Sequence, residues 1–127
     1  MTDYSVGERL LLLKAMIVRR VPKTRRIESQ LLFEALQADH ELVRVQTPHL
    51  YFTNWRNYLG AEVDECVGQE LLDDGINKAT GRGPTTHGYT RTKLGDLYLR
   101  TLEPRLEEAL DSMPMSDVGV LDFLGLL

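Results

Sequence analysis

The sequence predicts an α+β fold that is mainly helical and carries one small β-hairpin. Apolar residues recur at helical spacing over most of the chain, whereas residues 76–92 hold two short β-branched or aromatic runs around several glycines. The length of 127 residues, with 43% hydrophobic and 27% charged residues, is typical of one globular domain. We therefore expect a single domain over residues 1–115, followed by an apolar tail over residues 116–127.

Two helices and a short strand are predicted in the N-terminal part of the chain. Glu8–Arg20 is almost wholly apolar from residue 10 to residue 18, which indicates a helix buried on most sides. Pro22 interrupts it, and Thr24 is placed to cap a second helix that runs to about Ala38. Leu42–Gln46 partly alternates between apolar and polar residues, which favours a single strand.

Two further helices joined at a glycine are expected next. Thr47-Pro48 is a favourable helix start, and the segment through Tyr58 carries most of the aromatic residues, which at helical spacing belong to the core. Gly60 is predicted to end this helix, and Ala61–Asp74 to form the following one. Its inner face would include Cys66, which we expect to be buried and unreactive.

The stretch from residue 71 to residue 106 indicates a helix end, a hairpin and a long helix. Gly75 is predicted at the left-handed position after a helix, and Ile76–Thr80 and Tyr89–Thr92 as the two strands. Thr92 can cap a last helix over residues 93–113, with Asp96 in its first turn. This helix has one continuous apolar stripe, formed by Leu94, Leu97, Tyr98, Leu102, Leu106, Ala109, Leu110 and Met113.

Two segments of this stretch resemble a known family. Leu71-Leu72-Asp73-Asp74-Gly75-Ile76 and Tyr89-Thr90-Arg91-Thr92-Lys93-Leu94-Gly95 are similar to the end of the recognition helix and to the second wing strand of winged-helix regulators of the PadR and MarR type. The resemblance implies a winged helix-turn-helix with flanking N- and C-terminal helices. It also implies a homodimer formed through those terminal helices, Glu8–Arg20 and Leu94–Met113, that binds double-stranded DNA and has no enzymatic activity.

The charge distribution supplies the candidate contacts to DNA. The net charge is −4, but basic residues gather before the second helix and in the hairpin. On the winged-helix hypothesis, Glu65 and Gln69 would lie nearest the bases. The backbone contacts would come from Arg19, Arg20, Lys23, Arg25, Arg26, Asn54, Arg56, Lys78, Arg82, His87 and Arg91.

The predicted recognition helix departs from the family pattern because it is acidic. Ala61–Asp74 contains six carboxylates and no Arg or Lys. The alternative is therefore a protein-interaction module on the same scaffold, such as an accessory factor that binds or inhibits another protein. Its contact surface would be the acidic helix or the apolar segment Val118–Leu127.

Other classes of function find little support in the sequence. The three histidines and Cys66 lack metal-ligand spacing, and no nucleophile elbow or phosphate-binding loop is present, so a small enzyme rests on no recognisable constellation. We expect neither a metal nor a cofactor. A single cysteine, an acidic N-terminal stretch and the lack of a long apolar run predict a cytoplasmic protein without membrane contact.

Overall fold

The computed structural model describes residues 4–77 and 86–111, and that part of the chain contains four α-helices and three short strands. Their order is α1 (Val6–Arg19), β1 (Ile27–Glu28), α2 (Ser29–Gln46), a 3₁₀ turn (Pro48–Leu50), α3 (Trp55–Gly68), β2 (Leu72–Asn77), β3 (Thr86–Arg91) and α4 (Lys93–Asp111). The strands form one antiparallel sheet in the order β1-β3-β2. The predicted class, mainly helical with a small β component, is confirmed at this level.

In the sheet, β1 pairs with a hairpin strand that comes much later in the chain. β1 pairs with β3 at Ile27↔Tyr89 and Glu28↔Gly88, and β3 pairs along its whole length with β2. This pairing explains why no helix begins at Thr24, contrary to the prediction. Because residues 27 and 28 supply backbone hydrogen bonds to β3, the helix starts only at Ser29.

The strand predicted over Leu42–Gln46 is wrong, because these residues form the last turns of α2. The buried side chains of α2 continue at helical spacing through Leu32, Leu36, His40 and Val43, so the segment shares one face with the rest of the helix. The alternation of Leu42 to Gln46 arises because Val43 faces the core while the flanking residues are on the outer side.

The helix boundaries predicted between residues 47 and 74 are also wrong. Pro48 starts only a 3₁₀ turn, and α3 begins at Trp55 and continues through Gly60 to Gly68. Glu70, with φ 64°, takes the left-handed conformation that was predicted for Gly75. Gly75 instead lies in β2 opposite Gly88, because pairing with β3 draws residues 72–77 into the sheet.

The core is centred on α1, which packs against α3 and α4. Residues 12–18 of α1 are all buried, and Cys66 is fully buried as predicted. Phe52 and Trp55 are core residues, again as predicted. The stripe predicted on α4 is correct for Leu106 and Ala109 but wrong for its first turn. Leu94 and Leu97 are 48% and 60% exposed there.

The start of α4 is fastened to the turn between α3 and β2. Thr92 caps the helix as predicted, because the backbone N–H of Gly95 donates to its Oγ1 at 2.9 Å. The Thr92 hydroxyl also donates to the carbonyl oxygen of Leu71 at 3.0 Å, and the Thr92 N–H donates to the same oxygen. A Cβ at Gly95 would overlap that oxygen. Thr92 and Gly95 therefore both contact the carbonyl oxygen of Leu71 in the turn between α3 and β2, and they fix the start of α4 there.

Candidate nucleic-acid interface

The solvent-exposed face of α3 is the candidate contact surface. It presents Arg56, Asn57, Ala61 and Asp64, and it begins beside a hollow of about 320 Å³ lined by residues 53–57. The corrected start of α3 changes the prediction, since Arg56 now belongs to this helix and supplies the positive charge that Ala61–Asp74 lacked. Asn54 is exposed at the position before the helix and does not cap it through its side chain.

Two glycines on α3, Gly60 and Gly68, have open space beside them within the described part of the chain. A Cβ built at Gly60 or at Gly68 would meet no atom within 4 Å. Glycine in the interior of a helix costs roughly 0.5–1 kcal/mol relative to alanine. Gly60 is such an interior residue, so its cost is offset by no contact within the described ranges. The helix surface at this point is free of side-chain atoms and open to close approach.

The negative charge of α3 is partly neutralised by a buried lysine on α1. Lys14 is only 7% exposed, and its Nζ lies 2.9 Å from Glu65 Oε1 and 3.6 Å from Glu62 Oε2. Burial opposes the charge of Lys14, but the hydrogen bond to Glu65 and the attraction of Glu62 raise its pKa. Burial raises the pKa of Glu62 despite Lys14, so Glu65 is the better-matched partner. Two of the acidic residues thus belong to the α1–α3 contact.

The residues predicted to read bases contact each other. Gln69 Nε2 donates to Glu65 Oε1 at 3.0 Å, and the same oxygen accepts the bond from Lys14. Both side chains are exposed, but they lie at the C-terminal end of α3 with their polar groups engaged. The structure therefore gives them a stabilising role. Within the described residues, the side chains of Arg56 and Asn57, in the N-terminal half of the helix, make no hydrogen bond.

The acidic pair on β2 also has side-chain partners within the sheet, Arg26 and His87. Arg26 crosses the sheet over Gly75, where its guanidinium donates to the backbone oxygen of Asp73 at 3.2 Å and lies 3.3 Å from the Asp73 carboxylate. Asp74 Oδ2 is 3.4 Å from Nε2 of His87, which is exposed on β3. Arg26 and His87 were predicted to face DNA, and both instead lie against carboxylates of the hairpin.

Arg20 and Lys23, two more of the candidate DNA contacts, form ion pairs with other parts of the fold. Arg20 makes a two-pronged contact with the buried carboxylate of Asp39, with Nε donating to Oδ2 at 2.7 Å. That hydrogen bond is the main cause of the raised pKa of Arg20. Lys23 Nζ lies 3.3 Å from Asp96 Oδ1. These side chains connect α1 to α2 and the following loop to α4.

Arg91, predicted as a wing contact, is a structural residue. Its guanidinium donates to the carbonyl oxygen of Val21 at 3.0 Å and to Asp96 Oδ1 at 2.9 Å, and its side chain is mostly buried. The guanidinium nitrogen Nη2 of Arg91 also donates to the carbonyl oxygen of Arg19. With its donors used in this way, Arg91 fastens the end of α1 to the base of the hairpin.

Arg25 and Arg56 are exposed cations with no ion pair within residues 4–77 and 86–111. Arg56 lies over the Trp55 ring, 5.7 Å from its centroid. Arg19 is equally unpaired in that part of the chain, but it lines a separate groove with Leu42 and Leu110. The predicted wing contacts Lys78 and Arg82 lie outside the described residues. The structure brings Glu65 and Gln69 together and places Lys23 and Arg91 at the same oxygen of Asp96, but it does not gather the described candidate residues into one cluster.

Cys66 and His40 are buried titratable groups among the described residues. Burial raises the pKa of Cys66 to about 12, which keeps the thiol protonated at neutral pH. Burial also lowers the pKa of His40, whose ring packs against Trp55 at a centroid distance of 4.6 Å. Within the described ranges, no group of three or more His, Cys, Asp and Glu side chains is arranged to hold a metal ion.

Comparison of this chain with protein-family models, curated proteins and solved structures gave no match. Among the described helices, none is long and apolar enough to cross a bilayer.

Sequence reasoning missed Lys14 as a partner of the acidic helix and Gly60 as a surface glycine. A signal for Lys14 was present, because it is the one charged residue within the apolar run from residue 10 to residue 18. A lysine buried on all sides requires a carboxylate partner, and the acidic helix was the obvious source. Gly60 was misassigned because glycine is usually a helix end rather than a helix interior residue.

Proposed function

We propose that the protein is a winged-helix DNA-binding regulator without enzymatic activity, acting on duplex DNA as a dimer. The observation that carries this proposal is the order of elements, helix-strand-helix-helix-strand-strand, with the short β1 paired to the second strand of the hairpin. In a winged helix this order makes α2 and α3 the helix-turn-helix, β2 and β3 the wing, and α3 the recognition helix.

The surface chemistry of α3 is suited to contact with DNA through its N-terminal half. Arg56 would bind a phosphate, and Asn57 is of the residue type that pairs with adenine in the major groove. Gly60 and Ala61 allow the helix backbone to approach a groove closely. Arg25 would add a second phosphate contact from the loop before β1. The match of Lys14 with Glu62 and Glu65 reduces the repulsion between this helix and phosphates.

The proposed dimer is formed through the outer side of the terminal helices. α1 and α4 pack on each other within the chain, which uses most of their apolar surface. The first turn of α4 keeps Leu94 and Leu97 exposed, and a two-fold contact through these leucines would cover them. Sedimentation of the wild type and of Leu97→Glu tests this part, which fails if both sediment as monomers at high concentration.

Charge reversal at Arg56 tests the DNA interface. We expect micromolar binding of the wild type to a generic duplex, weakening steeply with salt. Arg56→Glu should weaken binding by roughly tenfold and lower the salt slope by about one, since one phosphate contact is lost. Fluorescence anisotropy over a salt series measures both quantities.

Arg105→Glu is the matched control, because Arg105 is an exposed cation on α4 and the charge change is identical. If both variants lose affinity equally, the effect is one of net charge and α3 is not the interface. If the wild type binds no duplex even at low salt, the regulator hypothesis is wrong.

Gly60→Ala separates the contribution of α3 to fold stability from its contribution to DNA binding. Alanine should stabilise the fold by about 0.5–1 kcal/mol, because a helix interior gains a better helix former and no clash results. The same methyl group should weaken DNA binding by roughly fivefold or more, as expected when a tight contact is overpacked. Urea denaturation and anisotropy on one preparation give both numbers. A more stable variant with unchanged affinity would show that this part of α3 does not enter a groove.

The second candidate is a protein-interaction module on the same scaffold. It is favoured by the exposed apolar side chains Leu31 and Val45 of α2, a different helix from the one that carries the candidate DNA surface. Leu31→Glu with Val45→Glu should leave DNA binding unchanged and abolish capture of the partner under this alternative.

A further inference from the structure

A groove lies between α1, α2 and the end of α4, away from the exposed face of α3. Its apolar lining is Met16, Leu42, Val43 and Leu110, and its volume is about 310 Å³. Leu42 is 54% exposed at this groove although it is a large aliphatic side chain. Burying a leucine side chain is favourable, so an apolar occupant of the groove would be stabilising.

One edge of the groove carries positive charge that the described residues do not match. Arg19 lines the groove and has no ion pair within residues 4–77 and 86–111. The neighbouring Asp39 is already bound by Arg20. Asp111 also lines the groove but forms no ion pair with Arg19, so the groove favours a mainly apolar segment that places a carboxylate at Arg19.

The chain itself supplies such a segment next to the groove. α4 reaches the groove at Leu110 and Asp111, and both residues line it. The sequence beyond includes residues 118–127, VGVLDFLGLL, with seven large apolar residues and Asp122. The seven residue steps from Asp111 to Val118 span up to roughly 23 Å when extended, enough to turn back along α2.

We propose that residues 118–127 bind in this groove within the same chain. Leu121, Phe123 and Leu124 would cover Leu42 and Leu110, and Asp122 would pair with Arg19. This contact is independent of DNA binding, because α3 contributes no side chain to the groove. It would cover an apolar surface that would otherwise be exposed.

A double-mutant cycle in the full-length chain tests the proposal. Leu42→Asp should lower the Tm by roughly 5 °C, because it disrupts the covered contact. The tail variant Leu121→Ser with Phe123→Ser and Leu124→Ser should lower the Tm by a similar amount. In the combined variant the two losses should not add, since both remove one contact. Hydrogen exchange of residues 118–127 should be at least roughly tenfold faster in Leu42→Asp than in the wild type.

Leu31→Asp is the matched control, because Leu31 is 52% exposed on the same helix and does not line the groove. It should cause little change in Tm and should be additive with the tail variant. Additive losses for Leu42→Asp, or equal exchange of the tail in both proteins, would overturn the proposal. A coupling that disappears on dilution would also overturn it, by showing that the tail binds a second copy of the chain.

Discussion

Lys14→Met is expected to destabilise the fold by about 3 kcal/mol or more at neutral pH. Lys14 is the counterion of Glu62, whose carboxylate is buried at the α1–α3 contact. Removing one partner of a buried ion pair leaves the other charge desolvated and unmatched, which typically costs 3–5 kcal/mol. Urea denaturation at constant m-value measures the loss.

The pH dependence of this loss identifies its cause. Without Lys14, burial and the neighbouring Glu65 both act to raise the pKa of Glu62, so its pKa in the folded state should rise beyond the already raised value. A carboxyl group with a pKa that is higher in the folded state than in the unfolded state takes up a proton on folding. Stability is then lost as the pH rises through the interval between the two pKa values. The variant should therefore be less impaired at about pH 5 than at about pH 8.

Two further variants distinguish charge from packing. Lys14→Met with Glu62→Leu should recover most of the lost stability, because the unmatched carboxylate is removed as well. Glu65→Gln should cost less than about 1 kcal/mol, since this side chain is 46% exposed and solvent can replace its ion pair. A double variant as unstable as the single one would show that the methionine simply fits poorly.

The elements that could be predicted are those set by local sequence. The apolar run of α1 and the cap of α4 at Thr92 depend on side chains within a few residues of each other, and both were predicted to within two residues. The hairpin was also predicted, because glycines and β-branched residues indicate it locally.

The elements that could not be predicted are those set by distant pairing. β1 is two residues long and forms only because it pairs with β3, some sixty residues later in the chain. The end of α3 at Gly68 depends in the same way on β2 pairing with β3, and on Glu70 accepting a left-handed conformation that usually favours glycine. Long-range hydrogen bonds override local propensity in both cases.

The candidate DNA contacts stay a prediction, for a related reason. The sequence shows where basic residues gather along the chain, but it does not show which of them form ion pairs within the fold. Arg20 and Arg91 form ion pairs with Asp39 and Asp96, whereas Arg19, Arg25 and Arg56 are exposed and have no ion pair among the described residues. A count of basic residues therefore overestimates a DNA surface wherever carboxylates face the same loops.

Gly95→Ala is the second substitution with a large expected effect. A Cβ at this position would overlap the carbonyl oxygen of Leu71, and a backbone oxygen in a tight turn cannot move aside as a flexible side chain does. That oxygen also accepts hydrogen bonds from the N–H and the hydroxyl of Thr92. α4 would have to shift away from the α3–β2 turn and lose these bonds, at a cost of about 2–3 kcal/mol or more.

Gly68→Ala is the control for Gly95→Ala, since both glycines lie in helices and receive the same methyl group. A Cβ at Gly68 meets no atom within 4 Å, so its stability should change by less than about 1 kcal/mol. Urea denaturation of both variants, with near-UV circular dichroism of Trp55 to check packing, measures the difference. If the two variants are equally stable, the position of α4 does not depend on its close contact with the Leu71 carbonyl oxygen, and Thr92 acts only as a helix cap.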